Sequence, residues 1–474
     1  MKTLRNIKPT PEQLKLITML RPGTRIIRGS AGSGKTTTSI LMLKTALGYL
    51  LDYKREQLQT APIKVKVFSF NKTLAAYVTD LIAETSSQIG ANPGELELDV
   101  STLSLYLYKK IPFGKRLVDK NTINRLINQS CINIGLPQQF IHDEIEYLLG
   151  RIDLNNVDDY LTIERVGRGS KPRLTQNQRQ KILEQIIKPY IHHKNSLNLV
   201  DWNDLAFFAS KTRLDTFDVV IIDEAQDFSA NQLKAILNQL TAKSFTTIVL
   251  DSAQQIYKRG FTWKDIGVKE PTYFRLNQNY RNTFEIANFA VHLLKNSGVN
   301  LDDDATLPAL DTILRHGDLP IIVQGKFRKQ LDEALRYMRE NIDLSTKSVC
   351  FLHPKGGGWF DFVKAKLKSA SIDFVDLTRA DRWPSSNVNV ALSTIHSVKG
   401  LEFDYVIMIG IEDDHFIFEE TDCEDSNYVS SIKLISMAIT RAKENVILGY
   451  KEDTKPRFIS YLEKGTYKGQ GTND

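Results

Sequence analysis

Two short stretches carry residue types that can handle a phosphorylated ligand. The first is Gly29-Ser30-Ala31-Gly32-Ser33-Gly34-Lys35-Thr36-Thr37, a complete G-x-x-x-x-G-K-[ST] loop. A β-prone stretch (24–28) precedes it and a helix-like run (36–44) follows. In that context glycines let backbone N–H groups converge on phosphate oxygens, and the helix N-terminus adds its positive end. Lys35 is expected to reach the β- and γ-phosphates, and the Thr36 hydroxyl to ligate Mg²⁺. The loop therefore predicts binding of a nucleoside triphosphate. The second stretch is Ile221-Ile222-Asp223-Glu224-Ala225-Gln226-Asp227. Two adjacent carboxylates at the end of a buried strand are costly without a cation. Asp223 is expected to complete the metal shell, and Glu224 to orient or deprotonate the attacking water.

These groups need a scaffold, and the chain supplies the pattern for one. Apolar β-rich runs recur at 65–70, 219–222, 247–250, 319–323, 348–352, 388–392, 405–409 and 445–448, each followed by a helix-like segment. Continuous apolar strands alternating with helices predict an α/β fold of parallel sheets covered on both faces. There are enough strands for two such sheets, with a linker expected at Val268-Lys269-Glu270-Pro271. Residues 105–200 are mostly helical in pattern and read as an insertion into the first sheet domain. Within them, 165–181 carries Arg165, Arg168, Lys171, Arg173, Arg179 and Lys181 with no acidic residue. A solvated loop and a phosphate-backbone contact are both open for that segment. Residues 412–425 are an acidic run, and the tail after Glu463 reads as polar and frayed.

The chain has 474 residues, enough for two or three domains, and 42% hydrophobic content is ample for buried cores. A net charge of +6 is compatible with a polyanionic partner. The three cysteines, Cys131, Cys350 and Cys423, form no C-x-x-C, so no zinc ribbon, iron–sulfur site or disulfide framework is indicated. No stretch approaches the roughly 20 apolar residues of a membrane span, and no secretory signal opens the chain. A soluble cytoplasmic protein is expected.

Asp223-Glu224-Ala225-Gln226-Asp227 resembles motif II of superfamily 1 helicases, in the form used by the UvrD/Rep/PcrA group. Further resemblances follow in order. Pro11-Glu12-Gln13 resembles the adenine-reading glutamine motif, Phe68-Ser69-Phe70-Asn71-Lys72 motif Ia, and Val200-Asp201-Trp202-Asn203-Asp204-Leu205 the segment before motif II. Asp251-Ser252-Ala253-Gln254-Gln255-Ile256-Tyr257 resembles motif III, and Gln278-Asn279-Tyr280-Arg281 motif IV. Residues 393–403, from Ser393 to Phe403, resemble motif V, and Ala438-Ile439-Thr440-Arg441-Ala442 motif VI. The resemblance implies two RecA-like P-loop NTPase domains with parallel sheets, plus a helical insertion in the first. The expected boundaries are 1–104 with 199–268 for the first motor domain, 105–198 for the insertion, 269–463 for the second motor domain, and 464–474 for the tail.

The resemblance also implies roles. Gly29 to Thr37 would cradle ATP, Gln13 would contact adenine, and Tyr280 would stack on it. Gln254 would sense the γ-phosphate, and Glu402 would touch the ribose or phosphate edge. Arg281 and Arg441 would come from the second domain as arginine fingers. The implied activity is ATP-dependent 3′→5′ movement on single-stranded DNA, including single-strand/duplex junctions. Phe70, Tyr257 and Trp263 offer flat faces for base stacking, while Asn71, Lys72, Thr102, Thr394 and His396 could hold phosphates and sugars, with no base preference.

Four departures stand out. The stretch after Tyr257 is one residue shorter than the group's usual motif III and lacks its tryptophan. Thr37 stands where the group often has arginine, and Leu250 where it usually has glycine. Arg281 and Thr394 lie only 113 positions apart, a length largely needed to build the second sheet. The large accessory domain that the group inserts there, and through which it regulates unwinding, is expected to be absent. Translocation needs only the two motor domains. A second reading is an ATP-switched DNA-binding subunit of a nuclease–helicase complex, such as those of DNA repair or of Gabija-like phage defence, without processive unwinding alone.

Overall fold

A computed structural model describes residues 9–470 apart from 31, 71, 113, 165–172, 252–261, 264, 269, 300–306, 308, 381, 385–387, 416–425 and 454. The first half runs α1 (Pro11–Thr18), β1 (Gly23–Gly29), α2 (Lys35–Glu56), β2 (Ile63–Ser69), α3 (Lys72–Gln88), β3 (Leu96–Thr102) and α4 (Leu103–Tyr108). A short pair, β4 (Arg116–Leu117) and β5 (Leu199–Val200), brackets α5 (Lys120–Ile134), α6 (Gln138–Leu149), α7 (Gln176–Ile182) and α8 (Lys188–Ser196). Then come α9 (Trp202–Lys211), β6 (Phe217–Ile222), α10 (Ala230–Leu237), β7 (Leu240–Leu250) and β8 (Thr272–Leu276). Six strands pair in parallel in the order β3-β2-β6-β7-β1-β8.

The second half runs α11 (Phe284–Asn296), β9 (Ile321–Gln324), α12 (Phe327–Asn341), β10 (Val349–His353), α13 (Gly358–Ser369), β11 (Phe374–Asp376), β12 (Val390–Thr394), β13 (Phe403–Ile411), α14 (Ser426–Ile439), β14 (Ala442–Tyr450) and β15 (Lys468–Gln470). Seven strands form a second parallel sheet, β11-β12-β10-β13-β14-β9-β15. The two sheets give the α/β fold of two RecA-like units that the sequence predicts. Central strands such as Val219-Val220-Ile221-Ile222 are buried on both faces, which is why they read as unbroken apolar runs. Among the described residues, the stretch from Arg281 to Thr394 builds α11 through β12 and no additional domain.

Two expected boundaries need correction. The first sheet does not close at 268, because β8 pairs with β1 and carries the first unit to Leu276. The tail expected from 464 is not wholly frayed, since β15 pairs in parallel with β9 through Lys468, Gly469 and Gln470.

The helices between β4 and β5 enclose a cluster of their own, with Ile127, Ile141, Leu148, Tyr160, Ile186 and Tyr190 buried together. Arg179 donates to the carbonyls of Tyr160 and Ile163, and Lys181 to that of Asn133. Those two cations of the basic segment thus serve the local fold, while 165–172 lies outside the described residues. The segment is anchored to the first sheet unit through Lys194, only 3% exposed, whose Nζ sits 2.7 Å from Asp201 and 2.6 Å from Asp204. The two sheet units also share apolar packing: Leu74 and Val78 of α3 lie in one buried cluster with Ile395, Val398 and Leu401. No helix among the described residues is long and apolar enough to cross a membrane.

Candidate functional site at the junction of the two sheets

The loop after β1 reverses sharply and feeds α2. Gly32 (φ 80°) and Gly34 (φ 75°) take left-handed backbone that other residues enter only with strain. Space reinforces this, because a Cβ on Gly34 would lie 2.5 Å from Gln13 Nε2 and one on Gly32 would overlap Asn279 Oδ1. Gln13 closes a capping box with Thr10 at the start of α1 and reaches the Gly34 carbonyl at 3.4 Å. Lys35 Nζ folds back onto the Gly29 and Ser30 carbonyls, both at 2.8 Å, and onto Asp251 at 3.0 Å. Ser33 is buried, Thr37 lies in the first turn of α2, and Ser30 Oγ is buried without a hydrogen-bond partner.

At the end of β6, Asp223 Oδ2 accepts from Thr36 Oγ1 at 2.9 Å, so the two expected metal-binding oxygens stand together. Among the described residues no group of three or more His, Cys, Asp or Glu could hold a metal ion. The Thr36 hydroxyl and the Asp223 carboxylate are oxygen donors of the kind a hard cation takes, with the rest of its shell left to water and phosphate. Burial, then the neighbouring Glu224, pushes the Asp223 carboxyl up. Burial pushes Glu224 up as well, but Lys399, Arg441 and Lys35 outweigh it and hold its carboxyl below the ordinary value. Glu224 has φ 54°, left-handed backbone on a non-glycine residue, of the kind that concentrates at functional sites. Gln226 links this turn to β7, donating to Glu224 at 2.6 Å and accepting from the Asp251 N–H at 3.0 Å.

From beyond β8, Tyr280 N donates to the Gly32 carbonyl at 3.0 Å, and its ring is 39% exposed beside the loop. Arg281 pairs through Nη2 with Glu402, while its Nε and Nη1 are buried without hydrogen-bond partners. Burial pushes the Glu402 carboxyl up, but Arg281 and Lys443 more than offset this and hold it at about 2. Arg441 is 2% exposed and anchored on the Met437 and Leu401 carbonyls at 3.2 and 3.3 Å. Burial, then Arg281, lowers its guanidinium to about 10, which leaves it cationic at neutral pH.

The expected strand-facing residues fall on the carboxyl ends of the strands. Phe70 follows β2 and packs edge-on against Phe228 at 5.8 Å; exposed Lys72 opens α3; Thr102 ends β3 and caps α4. Thr394 ends β12 with its hydroxyl 2.9 Å from Ser397, and His396 beside it is exposed. Trp263 instead packs edge-on against Tyr273 and rests half-buried on the first sheet unit's core. Ala31, Asn71, Gln254 and Tyr257 lie outside the described residues. The sequence placed Trp202, Asn279 and Lys399 inside motifs without giving them a role, and Asn282 lay just beyond the motif that ends at Arg281. Trp202 lines a cavity of about 400 Å³ with Phe70, Phe228, Asn124 and His142. An aromatic in the segment before the acidic strand end was the available signal for it.

Two families match the chain. One, described as an AAA domain, matches residues 13–259, just over half of the chain. The other, described as UvrD-like helicase C-terminal domain, matches residues 368–453. A probable DNA helicase from Mycoplasma pneumoniae is 22% identical over 482 residues, spanning 93% of this chain and 84% of that protein. A solved structure, the C-terminal domain of a possible DNA helicase from Lactobacillus plantarum WCFS1, is 19% identical, covers 40% of this chain and 99% of its own, and has a TM-score of 0.29.

Proposed function

The chain belongs to the UvrD/Rep-like superfamily 1 DNA helicases, and from that membership we propose that it is an ATP-driven motor moving 3′→5′ along single-stranded DNA. The observation that carries the proposal is the meeting of two sheets at one site. Arg281, with two buried and unpartnered nitrogens, and Arg441 approach the phosphate loop and the Asp223-Glu224 strand end from the second unit. ATP lies between the units, with Gln13 and Tyr280 on the adenine and Glu402 at the ribose or phosphate edge. Lys35 leaves the Gly29 and Ser30 carbonyls for the β- and γ-phosphates. Thr36 and Asp223 would hold Mg²⁺, which would neutralise phosphate charge when bound. Glu224 takes a proton from, or aligns, the attacking water. The arginines stabilise charge that develops on the transferred phosphoryl group. Loss of the γ-phosphate removes the reason for the cleft to close, so each turnover opens it again. Residues at the strand ends of both units, Phe70, Lys72, Thr102, Thr394 and His396, grip the strand alternately.

The short stretch between Arg281 and Thr394 favours a second reading, a strand-loading subunit that works with a nuclease and unwinds little alone. One set of assays separates the two. ATP hydrolysis by the purified chain is measured alone, with single-stranded DNA and with single-stranded RNA, followed by strand displacement on 3′- and 5′-tailed duplexes. Stimulation by DNA with displacement from the 3′ tail supports the motor. Stimulation without displacement supports the subunit reading, and no stimulation by either strand overturns the motor.

A further inference from the structure

The two arginines are placed by different parts of the chain, yet one buried side chain joins them. Asn282 is 0% exposed and lies next to Arg281, just before α11. Its Nδ2 donates to the carbonyls of Thr440 at 3.1 Å and Ala442 at 2.5 Å, the two residues flanking Arg441. Its Oδ1 accepts from Asn279 Nδ2 at 2.9 Å. Asn279 Oδ1 in turn accepts the backbone N–H groups of Arg281 and Asn282 at 3.0 and 3.1 Å. The same Oδ1 lies where a Cβ on Gly32 would stand. The chain of contacts thus runs from the phosphate loop through Asn279 and Asn282 to the turn that carries Arg441.

We infer that Asn282 is a positioning residue that locks Arg281 and Arg441 into one unit, so that both reach the γ-phosphate in register. An amide is the side chain this place needs. Two N–H donors meet two carbonyls, and one oxygen meets another amide, so its donors and acceptor are all used. Aspartate has the same shape but sets an acceptor against two carbonyls. Alanine leaves three buried polar groups without their partner. Arg441 keeps its own anchors on Met437 and Leu401 in either variant, so its charge stays and only its register slips. A slip of about 1 Å at a reacting centre costs on the order of 100-fold in rate.

This inference rests on the proposed ATP hydrolysis, and the test keeps the two apart. Strand-stimulated kcat and KM for ATP are measured for the full-length chain carrying Asn282→Ala, Asn282→Asp, Arg441→Ala, and Asn282→Ala combined with Arg441→Ala. Thr283→Ala is the structural control, because it removes the cap of α11 one residue away and touches neither arginine. Both Asn282 variants are expected to lose about 10- to 100-fold in kcat with KM changed less than about threefold. The double variant is expected to lose clearly less than the product of the two single losses, since without Arg441 the Asn282 amide has only Arg281 left to position. Losses that multiply in the double variant, a wild-type kcat in Asn282→Ala, or kinetics matching Thr283→Ala overturn the inference. A wild-type chain with no turnover, with or without a strand, overturns the motor reading and this inference with it.

Discussion

Lys399 Nζ stands 2.5 Å from Asp227 Oδ2 and 3.7 Å from Glu224 Oε2, with all three side chains buried. The lysine belongs to the second sheet unit and the carboxylates to the first. It follows the turn that carries Thr394 and His396, so a segment on the proposed strand-facing side delivers a cation to the acidic strand end.

A buried carboxylate that loses its cation is strongly destabilised, by about 3–5 kcal/mol. Lys399→Ala is therefore expected to lower the unfolding midpoint by several degrees. It also removes the strongest attraction holding Glu224 ionised, so turnover falls as well. Lys399→Met combined with Asp227→Asn recovers part of the stability and none of the turnover. Calorimetry alongside an ATPase assay checks both, and a melting curve unchanged in Lys399→Ala would show that the pair contributes nothing net.

Lys35→Ala is expected to reduce ATP hydrolysis to background. The side chain caps two loop carbonyls and neutralises Asp251, which is 1% exposed. The variant thus loses both the phosphate contact and the partner of a buried anion. Lys35→Arg keeps the charge but brings a planar fork too large for the loop, so it stays inactive while melting closer to wild type. Undiminished hydrolysis in Lys35→Ala removes the phosphate-loop assignment.

The Glu402 carboxyl is held at about 2 against an ordinary 4.5, by Arg281 and Lys443 acting against burial. A depressed carboxyl stabilises the fold fully above its unfolded value, and that stability drains away as pH falls toward the folded one. The difference corresponds to about 3 kcal/mol at neutral pH. Glu402→Gln should therefore be less stable than wild type at pH 7, with the gap narrowing to under half by about pH 3. Urea unfolding at the two pH values measures it, and a gap that stays constant between them would sink the ion-pair account.

The central strands were legible because they are buried on both faces, and so was the alternation that makes two parallel sheets. The edges were not. β3 alternates Leu96, Leu98 and Val100 with exposed Glu97 and Asp99, β8 is mostly exposed, and β15 is Lys-Gly-Gln. An edge strand needs no apolar run, and charge there also discourages pairing with other chains. That is why the boundary at 268 fell short of Leu276. Within the site, the loop, the acidic pair and the two arginines were legible because contiguous residue types declare their chemistry. The contacts of Lys399 and Asn282 were not, since their partners lie 172 and 158 positions away and only the fold brings them close.

Arg441→Ala provides the sharpest separation of binding from catalysis. The guanidinium is buried, held by two carbonyls of its own unit, and remains charged although burial lowers it to about 10. Nothing in that geometry requires it for adenine or ribose recognition, which fall to Gln13, Tyr280 and Glu402 in the proposed site. Its loss should therefore act on the transition state, where an arginine contact is worth roughly 10³–10⁵ in rate. Strand-stimulated kcat is expected to fall by that order, with the Kd for ATP changed less than about tenfold. Arg441→Lys restores charge without the planar fork and should recover little of the rate. Arg281→Ala should lower kcat as well, through the loss of its two unpartnered nitrogens, and should also loosen Glu402, whose ion pair it breaks. Single-turnover hydrolysis with a parallel binding titration makes the measurement, and equal losses in kcat and affinity would place Arg441 among the binding groups instead.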